Sequence, residues 1–64
     1  MNINHMRAFL EVARNGSFQL AAESLFITQS TVSARIKVLE DQLNTRLFNR
    51  KRDGSELTPA GRNF

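Results

Sequence analysis

The stretch Thr28–Leu43, TQSTVSARIKVLEDQL, leaves this chain few ways to fold. Read at 3.6 residues per turn, Val32, Ile36, Leu39 and Leu43 align on one face. Ser30, Ser33, Ala34 and Lys37 align on the opposite one. The apolar stripe needs a core to lie on. The opposite face is small, polar and free of acid through its first turns, which is unusual for a helix surface that meets only water. The rest of the chain must therefore supply a core on one side, and a partner is expected on the other.

Sixty-four residues make one small domain, near the lower limit for a self-sufficient core. An apolar fraction of 41% argues against disorder. The absence of cysteine excludes a disulfide framework and a thiolate metal site, and fits a reducing cytosol. No apolar run approaches membrane-spanning length. Met1–Asn4 lacks a basic region followed by a hydrophobic stretch, so a soluble, non-secreted domain is expected. The net charge of +3 is concentrated: Arg35, Lys37, Arg46, Arg50, Lys51 and Arg52 face only Glu40 and Asp41 in the same region. Such a patch attracts polyanions, chiefly nucleic acid or anionic lipid.

A first helix is predicted from Ile3 to Arg14, capped by Asn2, with Ile3, Met6, Phe9, Leu10 and Ala13 as its buried stripe and Val12 widening it. Asn15-Gly16 ends it, both residues tolerating a left-handed cap. His5 is the only histidine and has no cysteine or acidic cluster beside it, so a half-exposed helix-surface residue is expected rather than a metal ligand. Ser17 caps a second helix, Phe18–Leu25. Its face of Phe18, Ala21, Ala22 and Leu25 is small enough in the middle for another helix to cross closely. Phe26-Ile27 connects to Thr28, the predicted cap of the third helix. This spacing is a helix-turn-helix over about residues 18–37, though without the glycine such turns often contain.

The third helix should end near Leu43, with Asn44 in the left-handed cap. Leu47–Arg52 then meets Ser55–Leu57 across Asp53-Gly54, a hairpin turn signal. Phe48 and Leu57 would pin this hairpin, leaving Arg50 and Arg52 on one face. Thr58 caps a further helix with Pro59 at its first position. About one turn of it is present before Phe64, too little to stand alone, so the chain reads as the N-terminal piece of a longer protein or a segment cut within a connecting helix. The expected fold is mainly α: a winged helix-turn-helix with a three-helix core and a two-stranded β-hairpin wing at about 47–57. Residues 1–58 would form the domain and 59–64 the start of a linker helix.

Together these residues resemble the N-terminal domain of LysR-type transcriptional regulators. The resemblance is carried by Phe9, Val12-Ala13, Gly16-Ser17-Phe18, Ala21-Ala22 and Leu25, and by Gln29-Ser30, Val32-Ser33, Ile36, Leu39-Glu40 and Leu43. Leu47-Phe48, Arg50, Leu57-Thr58 and Ala60-Gly61 complete it. It implies a bacterial, cytoplasmic regulator that binds double-stranded DNA in a sequence-specific manner. It also implies a homodimer or tetramer formed through the helix that begins near Thr58. No cofactor is expected in this domain; a small-molecule effector would bind a C-terminal domain absent from this chain. Two positions depart from the family. Ala34 stands where an arginine usually follows the serine, with Arg35 next to it, and Asn44 stands where glycine is usual.

The third helix is then expected to enter the major groove by its N-terminus. Gln29 can pair with adenine N6 and N7, Ser30, Thr31 and Ser33 are short enough to let the helix sit deep, Ala34 can meet a thymine methyl, and Lys37 reaches guanine or phosphate. Ser17 and Thr28 cap helices whose free N–H groups favour phosphate. Arg35 is expected on phosphate, and Arg50 and Arg52 on the backbone or minor groove. An enzyme is disfavoured by one histidine, no cysteine, scattered carboxylates and no glycine-rich phosphate loop. The remaining alternative is a winged-helix protein–protein interaction module, which would show apolar or aromatic anchors on the third helix.

Overall fold

The computed structural model describes residues 2–51 and 54–64; Arg52 and Asp53, and the expectations placed on them, lie outside the described residues. The element order is α1 (Ile3–Asn15), α2 (Phe18–Leu25), α3 (Gln29–Leu43), β1 (Phe48–Lys51), β2 (Gly54–Leu57) and α4 (Pro59–Asn63). This is the expected three-helix core with a hairpin wing and the start of a fourth helix. None of these helices is long and apolar enough to cross a membrane.

Each helix begins where a short polar side chain can accept from an otherwise unpaired N–H. Asn2 accepts from His5 N, Ser17 from Leu20 N, Thr28 from Thr31 N and Thr58 from Gly61 N. The ends are equally local. Gly16 and Asn44 adopt the left-handed cap. The helix-turn-helix turn, which lacks glycine, is closed by Phe26 at φ 58. Phe26 N bonds to Glu23 O at 3.3 Å and Ile27 N to Ala22 O at 3.0 Å. That paired pattern ends a helix with a sharp change of direction. A non-glycine residue there costs roughly 1–2 kcal/mol, yet Phe26 is 94% exposed and recovers little by burial.

The core collects Ala8, Phe9 and Val12 from α1, Phe18, Ala21 and Ala22 from α2, Val32, Ile36 and Leu39 from α3, and Leu47 and Phe48 from the wing's entry. Ala21 and Ala22 are both buried in this core, as a close helix crossing requires. The predicted stripe of α1 is corrected: Ile3 is 70% and Leu10 57% exposed, while Ala8 and Val12 are fully buried. Ile3 and Leu10 lie seven residues apart on the far side of α1. Two large apolar side chains drew the predicted arc away from Ala8, whose small size lets the other helices approach. Met6, Ala13, Leu43 and Leu57 pack at the core's margin.

The wing is tied to α3 by Glu40, whose carboxylate accepts from Leu47 N at 2.8 Å and Phe48 N at 3.4 Å. β1 and β2 pair antiparallel, with Phe48 opposite Leu57 and Lys51 opposite Gly54. Gly54 is therefore a strand residue, which corrects its expected place in the turn. Its use is close approach: Ser55 N bonds to Gly16 O at 2.8 Å, and a Cβ on Gly54 would lie 2.6 Å from that same oxygen.

Candidate nucleic-acid interface

α3 meets the core through Val32, Ile36 and Leu39 and leaves a ridge of Ser30, Ala34 and Lys37 exposed. From Gln29 to Lys37 the helix carries no carboxylate. The expected site residues divide along its two flanks. On the wing side, Gln29, Ser17 and Arg50 line one open cleft of about 370 Å³ together with Phe18, Gln19, Lys51, Gly54 and Ser55. Ser33 and Lys37 line the continuation of this flank beside Arg46, Phe48 and Arg50. On the α1 side, Ser30, Thr31, Ala34 and Arg35 line a shallower depression with His5 and Val38. Gln29 and Arg35 thus lie on different flanks of the same helix.

The first turn of α3 is held by hydroxyl groups. Thr28 Oγ1 accepts from Thr31 N at 3.1 Å, and it lies 2.8 Å from Thr31 Oγ1 and 3.1 Å from Ser30 Oγ. Thr28 and Ser17 therefore act first as caps. Lys37 Nζ lies 3.1 Å from Asp41 Oδ1 in an exposed pair. Such a pair contributes at most about 1 kcal/mol, so a stronger anion can draw the ammonium away. Lys51 pairs similarly with Glu56 at 3.0 Å. Among the described residues, Arg35, Arg46 and Arg50 form no ion pair with a carboxylate.

Arg50 reaches from the wing toward α2 and α3. Along β1 it shares a strand face with Phe48, because side chains two apart point the same way. Its guanidinium carbon lies 3.7 Å from the centroid of the Phe18 ring, and its Nη2 donates to Ser33 Oγ. The guanidinium thereby bridges the start of α2, the middle of α3 and the wing. Sequence reasoning treated Phe18 as core alone and did not include Gln19, Lys51 or Ser55 in the cleft. The two-residue strand period was the available signal for Arg50; the others meet only once the wing folds back to Gly16.

The comparisons agree with this architecture. The family model described as "Bacterial regulatory helix-turn-helix protein, lysR family" matches residues 3–62. The HTH-type transcriptional regulator HdfR of Yersinia enterocolitica is 52% identical over 61 residues, which is 95% of this chain. The chain spans 21% of the length of that curated relative. HdfR of Yersinia pestis matches to the same extent. Among solved structures, the CbnR_DBD–DNA complex superposes with a TM-score of 0.96 at 33% identity, covering 100% of this chain and 74% of that one. The BenM_DBD/benA site 1 DNA complex gives 0.93 at 36% identity, covering 100% and 72%. The family is one of transcriptional regulators rather than enzymes. The chain belongs to the lysR family of bacterial regulatory helix-turn-helix proteins and carries that family's DNA-binding, transcription-regulating domain.

Proposed function

We propose that this domain reads operator DNA by seating α3 in the major groove, with the cleft between α2, α3 and the wing taking the flanking phosphate backbone. The observation that carries this reading is the acid-free ridge of α3, with a basic side chain on each flank: Arg50 toward the wing and Arg35 toward α1. Gln29, Ser30, Thr31, Ser33, Ala34 and Lys37 face base edges; Ser17, Thr28, Arg35 and Arg50 face phosphates, and Arg52 is assigned with them from its wing position. Ala34 in place of the family's usual arginine leaves no bidentate guanine contact there and favours an apolar contact such as a thymine methyl.

Residues 1–58 would form the DNA-binding unit, and α4 the start of a linker that pairs subunits into a dimer or tetramer. A C-terminal effector-binding domain and a cytoplasmic location go with the same reading. The family relationship supports these assignments, as does the length of relatives of which this chain spans 21%.

Two variants test the division of labour on a duplex enriched from a random-sequence pool. Gln29→Ala should cost about 1–3 kcal/mol at one base position and relax the preference there. Affinities left unchanged by the substitution for every base at that position remove Gln29 from base reading. Arg50→Ala should weaken binding to every duplex and reduce the slope of log affinity against log salt by about one. An unaltered slope places Arg50 away from phosphate.

A further inference from the structure

We infer that Phe18 is a positioning residue for DNA contact: its ring holds the Arg50 guanidinium across the wing–helix junction, where Arg50 fixes Ser33 as a hydrogen-bond donor. This deepens the proposed DNA-reading function and rests on it. Phe18 is 6% exposed and stacks edge-on against Phe48, with ring centroids 5.8 Å apart, so its orientation is set by the core. Phe48 in turn packs on Phe9 at 5.4 Å. The platform beneath Arg50 is therefore rigid, whereas an arginine on a two-stranded hairpin would otherwise sample many rotamers.

Two consequences follow from hydrogen-bond chemistry. A guanidinium has five N–H donors in one plane. With Nη2 given to Ser33 Oγ, its other donors remain at the cleft shared with Ser17, Gln29 and Lys51, where one phosphate can seat. Ser33, with a lone pair engaged by Arg50, offers its hydroxyl proton outward. It is thereby biased toward an acceptor such as guanine O6 or N7, adenine N7 or thymine O4. Lysine at position 50 would keep the charge but lose the flat stacking surface and the fork.

The test is a double-mutant cycle in DNA affinity, using the enriched duplex and fluorescence anisotropy, with thermal melting as the folding control. Phe18→Leu in the otherwise unchanged chain should weaken binding about threefold to tenfold, the range of a partly desolvated cation–π contact. In the Arg50→Ala background the same change should weaken binding less than twofold. An equal loss in both backgrounds assigns Phe18 to the core alone and overturns the inference. Arg50→Lys supplies the same decision without touching the core: it should lose nearly as much affinity as Arg50→Ala, and full retention overturns the inference. Side-chain NMR of the DNA-free chain separates this from failure of the functional reading. A ring-current shift on the Arg50 methylenes without DNA binding rejects the proposed function; DNA binding without that shift rejects the role of Phe18.

Discussion

Leu39→Ala should lower the thermal midpoint by about 15 °C. Leu39 is fully buried beneath α3, where it shares the core with Val12, Val32 and Leu47, the other fully buried large side chains. Removing such a side chain destabilises by about 2–5 kcal/mol through lost transfer energy and a cavity the surroundings only partly fill. A domain of this size holds only about 3–10 kcal/mol in total. Each kcal/mol corresponds to about 4–8 °C in so short a chain. Circular dichroism melting measures the shift. The contrast is Leu10→Ala, a chemically identical change on the exposed side of α1, which should move the midpoint by less than about 4 °C. Similar shifts for the two would contradict the assignment of the α1 face.

Gly61→Ala should also destabilise the domain, although alanine is the better helix former. Gly61 lies against the wing's entry: a Cβ would fall 2.3 Å from Leu47 O and 2.9 Å from a Leu57 methyl. The Leu47 carbonyl cannot retreat freely, because it accepts from Thr58 N at 2.9 Å. Thr58 Oγ1 also donates to Arg46 O at 2.6 Å. Either the hairpin shifts or α4 lifts away, taking Phe64 from its edge-on contact with Phe9 at 5.1 Å. Overpacking of this kind costs about 1–3 kcal/mol, or about 10 °C here. Melting combined with the Phe9–Phe64 nuclear Overhauser contact checks it. An unchanged midpoint with that contact intact would show that the junction is looser than described.

The fold was largely legible because its signals are local and redundant. Ser17, Thr28 and Thr58 announce helix starts, Asn44 announces an end, and the period of Val32, Ile36 and Leu39 places α3 on the core. What sequence could not show arises where distant elements meet. Phe26 takes a left-handed conformation that favours glycine, because the turn geometry between α2 and α3 demands it. Gly54 resembled a turn residue, but its lack of a side chain serves the approach to Gly16. Ile3 and Leu10 outweighed Ala8 in the apolar pattern, since hydrophobicity reports on side-chain size rather than on which face a neighbour can reach.

The candidate site was legible by element rather than by contact. The acid-free polar face of α3 follows from Gln29, Ser30, Ser33 and Lys37 and the absence of acid between them. The inward turn of Arg50 onto Phe18 needed the hairpin's parity and the aromatic packing of Phe18 on Phe48. That geometry joins the wing to α2 and α3 through one guanidinium.

Enrichment of random-sequence duplexes by the chain, at salt near 50 mM and near 200 mM, tests the central claim most directly. Backbone attraction falls steeply across that range while base contacts persist. The account predicts one recurrent motif at both salts, sharper at the higher, with a single position losing its preference in Gln29→Ala. Salt-sensitive binding that enriches no motif would contradict it, leaving a basic domain that holds DNA without reading it.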